Sequence, residues 1–310
     1  QNRELQTIKS ECQLISIASF LFNFAIFNQE IMAMKLPIYP YNLGYALSGG
    51  GARGYAHLGV LSVLEAHGVK PQMIAGTSAG SLVGVLYADG YSPEEIFEIS
   101  ENLNFKQLVE ITKPTSGFFK TSGITNFLRK HLRAKSFEEL KIPFVAVVAD
   151  MHHSITHTFS QGNHLIEAVV ASCSVPILFE PQVIDGKYYS DGGIFKNLPV
   201  SVIRDKCRYI IASNVSLMSE LTEPLTMKSV AEHTFKMMSN ANVLEDSELC
   251  DILIEVHGLK QTQMFDLDKK QELVEKGKSA ATIKLNDTGA LKILSNCKKH
   301  DKLMGKIRKS

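Results

Sequence analysis

Ser78 sits at the centre of Gly76-Thr-Ser-Ala-Gly80, with a glycine two residues before it and another two after. Such glycines allow a turn too sharp for larger residues, and the turn lifts the serine hydroxyl clear of its neighbours, where it can attack a carbonyl carbon. Upstream lies Ser48-Gly-Gly-Gly-Ala-Arg-Gly54. Successive glycines let backbone N–H groups approach a ligand closely, and N–H groups at the start of a helix suit an oxyanion. A serine nucleophile also needs a base. Lys187-Tyr-Tyr-Ser-Asp-Gly-Gly193 offers Asp191, a carboxylate at a strand end followed by two glycines. Taken singly, each pattern is also an ordinary turn, since Gly, Ser and Asp-Gly are common there. Acyl transfer through a serine is the chemistry that all three serve together.

The flanking residues say what must hold these groups. Leu43 to Leu47 is a short apolar run ending at glycines and reads as a buried strand; Tyr55 to His67 follows as a buried helix. Met73 to Ala75 reads as a second strand and Ser81 to Ala88 as a second apolar helix, so both glycine turns fall at strand-to-helix corners of one βαβ unit. Ser92-Pro-Glu-Glu opens a further helix with an N-cap and a proline in its first turn, and Thr125 to Leu132 reads as another. Arg208 to Val215 and Asp251 to Val256 are predicted buried strands. Thr226 to Leu244 between them is predicted as a long helix, with Met237 and Met238 in the core or along an acyl channel.

Gly49, Gly51 and Gly54 also fit G-x-G-x-x-G between a strand and a helix, the dinucleotide-binding pattern. That pattern needs an acidic residue about 20 positions on to hold the ribose hydroxyls. Met73, Ile74, Ala75 and Gly76 stand there instead, and the nearest acid, Glu65, lies inside the helix. A nucleotide cofactor is therefore not expected.

Ser48 to Gly54, Gly76 to Gly80 and Asp191 to Gly193, in this order, resemble the patatin-like phospholipase family, most closely its bacterial members and the neuropathy-target-esterase catalytic domains. Leu140 to Asp150 resembles the family's central strand. Ala171 to Pro181, Ile184 to Gly193 and Asn197 to Val200 are similar to its approach to and exit from the catalytic aspartate. The resemblance spans about residues 43–285. It implies an α/β three-layer sandwich with a central, mostly parallel sheet flanked by helices. It also implies a serine lipid acyl hydrolase of the phospholipase A or lysophospholipase type, with Ser78 as nucleophile, Asp191 as dyad partner, and an oxyanion hole at Gly49, Gly50, Gly51 and Arg53. The substrates implied are phospholipid, lysophospholipid or another lipid ester, with no cofactor and no metal. Ser48 stands where plant members often carry Asp and matches the bacterial branch. Met151 to Ile155 replaces a glycine-containing turn of the family.

Other residues have competing readings. Arg53 suits a structural salt bridge or a contact to a phosphate-bearing substrate. His152, His153 and His157 alternate across a predicted hairpin and lack a metal-ligand pattern beyond Asp150. His57 falls within the buried helix and is read as a packing or hydrogen-bonding residue. A Ser-Asp-His hydrolase using His233 or His257 is the alternative enzyme. A non-catalytic lipid-binding protein of the same fold is the alternative class.

With 310 residues the chain holds one large α/β domain, and a net charge of +1 gives no reason to expect nucleic acid. Five widely spaced cysteines without C-x-x-C favour free thiols in a reducing, cytoplasmic compartment; the lipid substrates that the resemblance implies add transient, peripheral contact with a membrane surface. Leu14 to Phe27 is apolar but too short and too interrupted to span a bilayer. Residues 1–34 are read as an extension ahead of a native start at Met32 or Met34. Thr112 to Gly123 is a loop carrying Phe118 and Phe119 beside Lys113 and Lys120, either anchored in the core or facing lipid as a flap. Residues 286–310 are read as a basic tail; seven Lys or Arg against one Asp over 292–310 suggest a solvated or membrane-surface segment.

Overall fold

The computed structural model describes residues 39–307, apart from 105–106, 108–109, 112–115, 218–224 and 260–261. Its main sheet contains β1 (Tyr41–Leu47), β2 (Met73–Thr77), β5 (Phe144–Asp150), β6 (Ile155–Phe159), β7 (Gln182–Ile184), β8 (Lys187–Asp191), β9 (Cys207–Asn214) and β10 (Ile252–Glu255). The order is β10-β9-β1-β2-β5-β8-β7, with β6 also paired to β5. From β10 to β5 every pairing is parallel, while β6, β7 and β8 join antiparallel. A short separate hairpin pairs β3 (Glu110–Ile111) with β4 (Phe119–Lys120).

Burial explains this order. β2 and β5 are buried along their whole length, as strands covered on both faces must be. On β1, Leu43, Tyr45 and Leu47 point into the larger core while Ala46 joins Ala75, Val145 and Ala212 in a second core on the opposite face, the two-residue alternation of a strand. The larger core is closed by α1 (Tyr55–Ala66), α2 (Ala79–Ala88), α3 (Pro93–Ser100), α4 (Ser122–His131), α5 (Leu165–Ser172) and α8 (Lys270–Leu285). The second is closed by Leu198, Val200 and Ile203 and by Val243 of α7 (Val243–Glu248). The result is the expected three-layer α/β sandwich. Ser92 caps α3 reciprocally with Glu95, as its Ser-Pro-Glu-Glu sequence predicts.

Three expectations change. Residues 288–307 form a helix, α9 (Thr288–Ile307), and not a free tail: Ala290, Leu294 and Cys297 enter the larger core, and Asn42 Nδ2 donates to the Cys297 carbonyl at 2.9 Å. The lysines that suggested a tail lie on a helix whose remaining face is apolar. The predicted long helix is α6 (Met227–Ala241), followed by α7; Met237 and Met238 are exposed on it, at 53% and 39%, because Ala231, Phe235 and Ser239 form its inward stripe. In the 112–123 loop, Phe119 is half-buried, its ring centroid 6.1 Å from that of Phe179, and its backbone bridges Leu178 and Glu180. This end of the loop is core-anchored, and Lys113 lies outside the described residues, as do residues 1–34. No helix among the described residues is long and apolar enough to cross a membrane.

Candidate active site

β2 ends and α2 begins at Ser78, whose φ of 53° and ψ of −123° are unusual for a residue with a side chain. The flanking glycines make that corner sterically feasible. A Cβ on Gly76 would lie 2.4 Å from the Gly80 carbonyl oxygen, and one on Gly80 would lie 2.3 Å from that of Leu47. From below, α5 fixes the corner. The Ser78 N–H donates to Ser172 Oγ at 2.9 Å, Ser172 Oγ donates to the Val147 carbonyl at 2.6 Å, and Cys173 Sγ donates to the Ser78 carbonyl at 3.3 Å.

Asp191 terminates β8 and is completely buried. Its Oδ1 accepts from the Gly193 N–H at 2.8 Å, while Oδ2 is buried with no partner of full hydrogen-bond geometry among the described residues. Burial pushes this carboxyl up to about 7, opposed by the neighbouring Ser78 hydroxyl and the Gly193 amide. Serine hydroxyl and carboxylate are thus brought together from the two strands that flank β5.

The glycine loop leaves β1 and turns into α1. Gly51 has a φ of +58°, and a Cβ there would lie 2.3 Å from the Met264 carbonyl oxygen. The Gly49 N–H is taken by the Asn197 carbonyl at 3.1 Å, and the Arg53 N–H by the Gly50 carbonyl at 3.2 Å. The Gly50 and Gly51 amides have no acceptor among the described residues. Of the four loop positions implied by the family resemblance, two therefore keep a free donor, and the Gly49 and Arg53 amides do not.

His57 braces this loop from behind. Nε2 lies 2.9 Å from the Ser48 carbonyl and Nδ1 2.8 Å from Ser213 Oγ. A carbonyl can only accept, so Nε2 carries the proton and Nδ1 accepts from the serine. Burial lowers the His57 pKa to about 4, which keeps the ring neutral. Among the described residues, neither His233 nor His257 bonds to Ser78 or Asp191, and His257 is exposed beside a separate groove lined by β10 and α8. Asp150 accepts from the amides of His152 and His153 and from the His153 ring at 2.9 Å, and Ser154 takes a left-handed φ of 56° in this turn.

Arg53 is 2% exposed and has no carboxylate partner among the described residues, contrary to the salt-bridge expectation. Nε and Nη2 donate to the Thr262 carbonyl at 3.3 and 3.2 Å and Nη1 to the Leu217 carbonyl at 2.9 Å.

Ser78, Gly50, Gly51 and Arg53 open onto one cavity of about 150 Å³. Its deep wall is apolar, formed by Leu82, Val83, Leu86, Ile96, Ile124 and Phe127. Cys173 also lines it, but burial raises its thiol pKa well above the usual range, so it is no rival nucleophile. Asn197, on the segment that the resemblance places after the aspartate, also lines the cavity; sequence reasoning had no signal for Lys236 and Ser239, which come from α6.

The model for the patatin-like phospholipase family matches residues 45–203, which include the glycine loop, Ser78 and Asp191. The chain belongs to the patatin-like phospholipase family. An uncharacterized NTE family protein of Mycobacterium tuberculosis is 33% identical over 161 residues, 51% of this patatin-like chain and 44% of its own length. The human patatin-like phospholipase domain-containing protein 6 is 29% identical over 188 residues, covering 57% and 14% of the two chains. Lysophospholipase NTE1 of Candida albicans is 28% identical over 204 residues, covering 64% and 15%. This chain thus spans less than half the length of these curated relatives. Its fold is shared with VipD of Legionella pneumophila, at a TM-score of 0.50 and 14% identity over 80% of this chain and 67% of that one.

Proposed function

We propose that this chain is a serine lipid acyl hydrolase, of the phospholipase A or lysophospholipase type, working through a Ser78–Asp191 dyad. The observation that carries the reading is the juxtaposition of Ser78, on its strained corner and lining an apolar cavity, with the buried carboxyl of Asp191 behind it. Ser78 Oγ attacks the ester carbonyl and passes its proton to Asp191. The Gly50 and Gly51 amides receive the oxyanion, and Asp191 returns the proton to the departing alcohol. Water, deprotonated by Asp191, then attacks the acyl-serine; the bond to Ser78 Oγ breaks, Asp191 returns the proton to that oxygen, and the fatty acid is released. A carboxyl with a pKa of about 7 is a far better base than an exposed aspartate, because its basicity matches a neutral working pH. The names of relatives, a lysophospholipase among them, support a lipid ester as substrate. Free thiols at Cys173, Cys207, Cys250 and Cys297 support a reducing, cytoplasmic setting.

The test is labelling by a fluorophosphonate probe together with turnover of a short p-nitrophenyl ester. The expected result is labelling and turnover in the wild type, neither in Ser78→Ala, and turnover largely lost in Asp191→Asn. A wild type that neither labels nor turns over, even with vesicles, favours the lipid-binding reading; a fully active Asp191→Asn requires another base.

A further inference from the structure

Around the Ser78 cavity the charged lining residues described are both cations, Arg53 and Lys236; no carboxylate among the described residues lines it. This is an unusual composition for a pocket that is otherwise apolar. Lys236 projects from α6, half-buried, and no described residue gives its ammonium a hydrogen bond or an ion pair. Burial and the nearby Arg53 charge both lower its pKa, while Glu232, one turn earlier on α6, partly offsets them. One turn further along the same helix, Ser239 also lines the cavity; it is 2% exposed and its hydroxyl has no partner. Arg53 is locked by two carbonyls and keeps its charge without a counter-ion. Two neighbouring like charges and an unpaired hydroxyl in the lining of one cavity are costly, and an anion relieves all three.

Resting on the hydrolase reading above, we propose that Lys236 and Ser239, with Arg53, form a phosphate subsite that selects single-chain anionic phospholipids over neutral acylglycerols. Such a substrate has one acyl chain for the apolar wall and a phosphate next to the glycerol ester. With no carboxylate in the described lining to receive an ammonium, headgroups with net negative charge are preferred to choline. Lys236 and Ser239 are specificity residues in this scheme and take no part in bond making.

The experiment uses ether analogues, which cannot be hydrolysed, so it reads the subsite independently of catalysis. Binding of 1-O-alkylglycerol-3-phosphate and of the matching 1-O-alkylglycerol to the full chain is measured by calorimetry below their micellar concentrations. A charge-assisted contact predicts a preference of about tenfold or more for the phosphate form. Lys236→Gln should reduce that preference by roughly tenfold, Ser239→Ala by less, and Lys236→Arg should retain it. Each variant is first shown to melt like the wild type. Equal affinity for the two analogues, no binding of the phosphate form, or a preference indifferent to Lys236 would each overturn the subsite. Failure of the hydrolase reading is seen separately, as absent ester turnover by a chain that still prefers the phosphate analogue.

Discussion

Replacing Asp191 by Asn should destroy activity and stabilise the protein. Asparagine keeps the size of the side chain, and its carbonyl oxygen can still accept from the Gly193 amide. What it removes is a charge in a site with no exposure. The folded carboxyl titrates at about 7 against an ordinary value of 3.8. Between those two values the folded state holds a proton that the unfolded state has released, so wild-type stability falls as pH rises from about 4 to 7 and is level above. At about 1.4 kcal/mol per pH unit, the gap between 3.8 and about 7 amounts to about 4 kcal/mol. Urea unfolding at pH 8 should therefore show Asp191→Asn more stable by up to about 4 kcal/mol, or roughly 10 °C in Tm, with the gap closing toward pH 4. Turnover should drop by about 10² to 10⁴, the range for loss of a general base. A variant no more stable than wild type at pH 8, or a gap that does not close in acid, would refute the desolvated carboxylate.

Further consequences are measurable. Wild-type kcat/KM on a soluble ester should fall below about pH 7 as Asp191 takes up a proton, and a profile flat down to pH 5 would contradict this. His57, with its folded pKa lowered to about 4 from 6.5, binds its proton later than in the unfolded chain, so its share of stability is lost as pH falls from about 6.5 to 4. That share is about 3 kcal/mol, and His57→Gln should flatten the acid limb of a denaturant series. Gly80→Ala should unfold or strongly destabilise the chain, since its Cβ would sit 2.3 Å from a backbone oxygen that cannot move aside; circular dichroism melting checks this. Leu86 lies eight residues along α2 from Ser78, a rise of about 12 Å, the length of roughly a ten-carbon chain. Activity on a p-nitrophenyl ester ladder should climb about fourfold per methylene and then level near that length, following about 0.8 kcal/mol per buried CH₂.

Much of the site was legible because its chemistry dictates local sequence. A corner that only small residues can make leaves Gly76 and Gly80 in the text, and a loop pressed against the Met264 carbonyl leaves Gly51 there too. Strands buried on both faces leave uninterrupted apolar runs, so β1 and β2 were readable within a residue or two. What escaped is tertiary. The Gly49 amide looks as available as that of Gly50 until the chain after Asp191 returns and places the Asn197 carbonyl 3.1 Å from it. Arg53 looked like half of a salt bridge, yet its partners are carbonyls of residues 217 and 262, more than 160 positions away. On α6 the apolar spacing is continuous around much of the helix, so the sequence could not say that Phe235 faces inward and Met237 outward. The same ambiguity hid Lys236 and Ser239, whose significance lies in what they do not touch. A cation and a hydroxyl without hydrogen-bond partners among the described residues, in the lining that includes Ser78, call for something to compensate for their isolation, and on the proposed reading a negatively charged headgroup is that compensation.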